Sequence, residues 1–338
     1  MSLPRTLALV PMVVLLAVAT AAQSKVVSPA PYQYFRIGNS KDVHVSTRPG
    51  FALIGGGEDL DAAFQWLCER SGGGDFLILR ASGTGAYNPY IKSLCHENSV
   101  ATLVIPTRQA AMDPFVERAI GSAEAIFIAG GDQSNYINFW SGTPVERAIN
   151  RAIRRGVPVG GTSAGLAVLG EFAYTAQNDS SHGPNLNSPA ALADPFNRQV
   201  VTVRNFLAIP VLRGIITDSH FHERDRLGRL LVFMARILQS GKAKGIRGIG
   251  IDQHTAFLLD PDGQGVAAGT GAVYLFEVSK KPAVCRPGIP LTVAGISVRK
   301  LISGERFNVK AWSGDGAAYT LSVDSGVVRS TQPGGAIY

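Results

Sequence analysis

Cysteine is scarce in this chain: Cys68, Cys95 and Cys285 are the only three, and no two stand in a Cys-x-x-Cys spacing. One internal disulfide is therefore the maximum, with one thiol left over, and zinc sites built on paired cysteines are excluded. Cys68 shares an apolar face with Leu60, Phe64 and Leu67, the pattern of a small core residue. Charge is also sparse, at 17% Asp, Glu, Lys and Arg. The net charge of +7 is spread out, without the basic, aromatic-interleaved stripe that nucleic-acid binding calls for. No internal repeat and no low-complexity linker occurs. Beyond the first residues no apolar run approaches the roughly 20 residues of a membrane-spanning helix. The glycines of 54-IGGGED-59 lack both the Lys-Ser/Thr ending of a P-loop and the spacing of G-x-G-x-x-G. They point to close backbone approach rather than to phosphate binding.

What is present is a globular composition, 46% hydrophobic over 338 residues. The chain starts MSLPRTLALVPMVVLLAVATAAQS, with one positive charge at Arg5, an apolar run, then small residues around Ala19-Thr20-Ala21. This is the layout of a secretory signal peptide, so residues 1–21 are expected to be removed from a secreted or periplasmic protein with no stable membrane association afterwards. A polar lead follows at residues 22–50. From residue 51 short apolar runs read as strands at 51-FALIG-55, 76-FLILR-80, 101-ATLVIP-106, 125-AIFIAG-130 and 157-VPVG-160. Helix-period segments lie between them at residues 60–70, 89–95, 113–120 and 144–155. Strict alternation predicts βαβ units: a three-layer α/β/α, flavodoxin-like domain over residues 51–284 with a mostly parallel sheet. Residues 172–209 read as irregular and polar. A further strand, 214-GIITD-218, precedes a long helix expected over residues 222–238, and residues 285–338 read as a strand-rich extension of the same domain.

In such a fold, ligands sit beyond the carboxyl ends of the strands. Gly161-Thr162-Ser163-Ala164-Gly165 occupies that position and matches G-x-S-x-G with a strand before it and a helix after, which makes Ser163 a candidate nucleophile. A serine needs a base. Of six histidines, His220 also follows a strand directly, in 218-DSHFHERDRLGRL-230. His222 reads as solvent-facing and His254 as a turn residue. On a helix, Arg226 and Arg229 would share a face, with Arg224 displaced, and such arginines suit a substrate carboxylate. The strand-end glycines of 129-AGGDQSNY-136 make the Gly131 N–H a candidate oxyanion donor beside that of Ala164, with Gln133 placed to hold a polar group.

Four segments together, 54-IGGGED-59, 129-AGGDQ-133, 161-GTSAG-165 and 218-DSHF-221 with the arginines after it, resemble the cyanophycinase and dipeptidase E group of serine peptidases. The resemblance runs from about residue 51 to 278, and 295-GISVRKLISGERFNV-309 is similar to a cyanophycinase ending. It implies a class I glutamine-amidotransferase-like α/β/α fold, Ser163 as nucleophile, His220 as general base, and a pocket of Gln133, Arg224, Arg226 and Arg229. The substrate implied is a peptide or polypeptide with aspartyl groups; no metal or cofactor is called for, and a homodimer is the assembly left open. The group also implies an acid between serine and histidine in the chain. Asp179 is the best-placed match, with Asp218 and Asp194 as rivals. Two departures stand out: Ser219 replaces a glutamine usual in cyanophycinases, and no lysine follows Gln133. An esterase or amidase using His254, and a non-catalytic exported binding protein, are the competing readings.

Overall fold

The first five apolar runs form the parallel centre of a sheet in a computed structural model that describes residues 30–179 and 185–338. The signal-peptide reading, the start of the polar lead and His182 lie outside the described residues. The central strands run in the order Ser99–Val104, Asp75–Arg80, Ala125–Ile128, Val159–Thr162, Phe51–Ile54, each parallel to the next. Their side chains alternate between two apolar clusters. Phe51, Leu53, Ile126 and Ile128 pack with Val116, Ile120 and Ile149 of the helices Pro114–Gly121 and Pro144–Arg155. Ala52, Ile54 and Phe127 pack with Phe64 and Leu67 of the helix Asp61–Ser71. A sheet covered on both faces needs apolar residues at every position, which is why these strands read as continuous apolar runs.

Antiparallel strands complete this sheet. Gln33–Gly38 pairs with Ser99–Val104 at one edge; Thr255–Leu259 pairs with Phe51–Ile54 on the other side, followed by Gln264–Gly269. Arg306–Asn308 and Ser313–Gly314 continue that side of the first sheet, and a second sheet holds Ile215–Asp218 parallel to both Ile246–Ile251 and Phe172–Tyr174. Ile289–Leu301 pairs with Val273–Val278 and carries Ala317–Asp324 and Val327–Ser330 onto this second sheet. Leu227, Leu230, Leu231, Met234, Ala235 and Leu238 are buried in one cluster against it, as their helical spacing predicts. No helix among the described residues is long and apolar enough to cross a membrane.

Several local expectations change. Residues 172–209, read as irregular, contain the strands Phe172–Tyr174 and Thr202–Arg204 and the helix Ser188–Ala193. The polar lead contributes the Gln33–Gly38 strand. The segment after Gly131 forms a helix, Gln133–Trp140, capped by Asp132, whose carboxylate accepts the Ser134 N–H at 2.8 Å. The helix expected from residue 222 begins at Leu227, because His220 and Asp225 both adopt positive φ, near 45°, a conformation that a helix cannot contain. The turn thus formed is braced from the C-terminal region: the Tyr338 hydroxyl donates to Asp225 and accepts the Leu227 N–H. Cys68 and Cys95 are joined in the one disulfide the cysteine count allows, and Cys285 is a buried free thiol.

Candidate active site

The strand Val159–Thr162 ends at Ser163, whose backbone is strained at φ 53° and ψ −114°, and the short helix Ala164–Ala167 starts at once. So abrupt a reversal requires the flanking glycines. A Cβ on Gly165 would sit 2.0 Å from the Ile128 carbonyl oxygen, and one on Gly161 would lie 2.6 Å from the Gly165 carbonyl. Gly165→Ala is accordingly expected to lose about 1–3 kcal/mol or more through backbone overlap, read as a lowered melting temperature. A melting curve superimposable on that of the parent would show that the turn has room to relax.

His220 arrives from the other sheet, two residues beyond Asp218 of the Ile215–Asp218 strand. The residues that bring the two together come from the end of Phe51–Ile54. The Ile54 carbonyl accepts the Ser163 N–H at 3.1 Å, the Gly55 carbonyl accepts the His220 N–H at 2.8 Å, and the Gly56 carbonyl accepts the His254 N–H at 2.9 Å. A side chain on Gly56 would collide with the imidazole, its Cβ 2.4 Å from Cε1. The close-approach reading of 54-IGGGED-59 therefore holds, with the ring of His220 as what is approached. The outcome is a 2.6 Å contact between Ser163 Oγ and His220 Nε2, with the serine half-buried and open to a ligand.

Burial, with Arg224 and Arg226 next in weight, lowers the His220 pKa to about 3; Asp218 opposes and Arg229 adds to the lowering. The ring is thus neutral, as a general base must be, from mildly acidic pH upward. Its Nδ1 lies 2.8 Å from the side-chain amide of Gln253, in the turn after Ile246–Ile251.

Several expected site residues take other parts. Asp179 does not meet His220: its carboxylate accepts the Tyr174 hydroxyl and the Gln199 amide. Asp194 accepts the N–H groups of Phe196 and Gly288. Asp218, 2% exposed, is gripped by Arg229 through Nε at 2.8 Å and Nη2 at 2.6 Å. Arg226 reaches Asp218 and donates to the Ser219 carbonyl and hydroxyl. Burial pushes the Asp218 carboxyl up, but Arg229 and Arg226 outweigh it and hold it below the ordinary range. Arg229, whose Nε, Nη1 and Nη2 all donate inside the protein, is therefore an internal fixing of the turn, and Arg226 spends its Nη1 in the same place. Arg224 alone of the three is exposed. His254 is a turn residue at φ 52°.

On the opposite flank of Ser163 runs the 129–131 loop. A Cβ on Gly130 would stand 3.5 Å from that of Ser163, and the Tyr136 hydroxyl staples the loop by donating to the carbonyls of Ala129 and Gly130. Gly131 is exposed there at φ 148°, and half-buried Gln133 opens the helix beyond it. Ala164 occupies the first helical position, where no intrahelical acceptor exists for its N–H. Sequence reasoning missed Gln253, although its place beyond a strand end was the signal that singled out His220. Among the described residues one group has the spacing to hold a metal, Cys68, Cys95 and Glu97, and its two thiols are consumed by the disulfide.

Residues 52–193, which include Ser163 but end before His220, match the model of peptidase family S51. A cyanophycinase of Nostoc sp. is 28% identical over 287 residues, covering 78% of this chain and 87% of that protein. A cyanophycinase of Synechococcus elongatus is 26% identical over 272 residues, covering 76% and 78%. The crystal structure of a peptidase from an acI-B1 Actinobacterium superimposes with a TM-score of 0.50 at 17% identity, covering 78% of this chain and 98% of that one, a likeness of fold.

Proposed function

We propose that this chain, a serine-type peptidase similar over residues 52–193 to peptidase family S51, hydrolyses aspartyl or β-aspartyl peptide bonds with Ser163 as nucleophile and His220 as general base. The observation that carries this reading is the 2.6 Å contact of Oγ with a buried, neutral imidazole. Nε2 takes the serine proton as Oγ attacks the scissile carbonyl. The tetrahedral oxyanion is held by the N–H groups of Ala164 and Gly131, the first at a helix start and the second in the loop facing it. His220 then returns the proton to the leaving amine, and water releases the acyl group by the same route.

The substrate class rests on two supports. The relatives above are cyanophycinases by name, and Arg224 stands exposed near His220, a cation free to meet an acidic group. Ser219 and the segment after Gln133 depart from the cyanophycinase pattern, which favours aspartyl dipeptides over the polymer. Arg224→Ala is expected to raise KM for acidic dipeptides roughly tenfold while changing kcat less, the size of one charge-assisted hydrogen bond. An unchanged KM would assign the carboxylate to another group. The leader sequence and the Cys68–Cys95 bond both support an exported protein working in an oxidising compartment. Purified protein offered β-aspartyl dipeptides, N-terminal aspartyl dipeptides and cyanophycin should cleave at least one of these. Cleavage of neutral esters alone would refute the aspartyl assignment.

A further inference from the structure

A histidine can serve as base at Nε2 only if its ring proton sits on Nδ1, which in turn requires an acceptor beside Nδ1. A carboxylate is the usual acceptor, yet each nearby one is committed elsewhere. Asp218 is gripped by Arg229. Asp252 accepts the N–H groups of His222 and Ala272. Glu223 accepts the backbone N–H of Gln253 with both oxygens at 3.1 Å, and Asp179 is held by Tyr174 and Gln199. What stands at Nδ1 is the Gln253 side-chain amide, its Nε2 2.8 Å away.

With its nitrogen inward, the amide donates to Nδ1 and forces the ring proton onto Nε2, where it points at Ser163 and blocks deprotonation. The two ends of an amide are nearly isosteric, so a half-turn about the last side-chain bond presents the oxygen instead. We infer, on the basis of the Ser163–His220 reading above, that Gln253 is the positioning residue of the site, its amide oxygen accepting Nδ1–H and leaving the Nε2 lone pair for Ser163.

The backbone is built for this placement. Gln253 lies in the Asp252–His254 turn, where the His254 N–H reaches the Gly56 carbonyl and a Cβ on Gly57 would touch Gln253 Cβ at 3.0 Å. The turn that holds the amide and the glycine run that abuts the ring are thereby locked together.

A neutral partner has a consequence that a carboxylate would not have. The imidazolium formed during turnover faces Arg224, Arg226 and Arg229 with only Asp218, already neutralised, against them. Nothing at Nδ1 rewards protonation, in keeping with a ring whose pKa falls to about 3. The ring stays unprotonated, and the base available, as the pH drops well below the ordinary histidine value. Putting a carboxylate at residue 253 would favour the imidazolium and move loss of activity to higher pH.

The test is kcat/KM against pH for the parent, Gln253→Glu and Gln253→Ala, on an aspartyl dipeptide that the parent cleaves. The isosteric Glu variant should stay active at pH 8 and shift its acid limb upward by about one unit or more. The Ala variant should lose roughly 10- to 100-fold in kcat, part of what a positioned base contributes. Its KM should stay within about twofold, and its melting temperature close to that of the parent. An unmoved acid limb in the Glu variant, or parental kcat in the Ala variant, would overturn the inference while leaving the nucleophile in place. Activity that survives Ser163→Ala would instead overturn the reading beneath it.

Discussion

Ser163→Ala is expected to lower kcat for aspartyl dipeptides by roughly 10⁴-fold or more, and His220→Ala by a comparable factor. The expectation follows from the way the pair works. Oγ is a poor nucleophile until Nε2 takes its proton, so removing either partner of the 2.6 Å contact removes the same step. Combining the two changes should therefore cost little more than either alone, which separates a functional unit from two independent contributors. The serine change leaves the Cβ of the strained turn in place, so the variant should fold and still bind substrate. Steady-state kinetics of the two single variants and the double variant, with melting curves for each, checks this. A double variant worse than the singles by the product of their losses would mean that serine and histidine act in separate steps.

Asp218→Asn is expected to destabilise the protein by about 3–5 kcal/mol, lowering its melting temperature by roughly 5–15 °C. The carboxylate is 2% exposed and takes two hydrogen bonds from Arg229, which is itself 1% exposed. Neutralising it leaves two buried guanidinium groups, those of Arg226 and Arg229, without their charge partner. The linkage to pH has a definite sign. Because the folded-state carboxyl is held below its ordinary range, its contribution is fully present above the unfolded value and disappears only as the pH falls through the lower folded value. The parent should thus keep this part of its stability down to about pH 4, while the variant lacks it throughout. Thermal melts of both proteins between pH 4 and pH 8 decide the matter. A variant that melts with the parent but binds substrate poorly would return Asp218 and its arginines to the pocket.

The sequence placed Arg226 and Arg229 in the pocket, with Asp218 only a rival for the third triad member, and helical spacing alone could not locate the donors of these arginines. Counting helical spacing from His222 places Arg226 and Arg229 on one outward stripe. The positive φ angles at His220 and Asp225 delay the helix to Leu227 and turn both side chains back beneath the strand end. Periodicity reports which residues share a face once a helix exists; it does not report where the helix begins. Ser163 was legible because its constraint is local: a strand, a reversal and two glycines within five residues. His220 was legible for a similar reason, as a base-competent side chain just past a strand. Gln253 was not, because its approach to the ring depends on Thr255–Leu259 pairing with Phe51–Ile54, some 200 residues away in the chain. The same limit hid the division into two sheets, since a buried strand reads as a short apolar run whichever sheet it joins.

Treating the purified protein with a fluorophosphonate and mapping the modified peptide by mass spectrometry interrogates the proposed nucleophile itself, independent of substrate choice. One adduct should form, on the peptide that carries Ser163, at a rate cut sharply by His220→Ala and to nothing by Ser163→Ala. Protein that hydrolyses aspartyl dipeptides while Ser163 stays unmodified, or that takes the label on a different residue, would contradict a mechanism built on the Ser163–His220 contact.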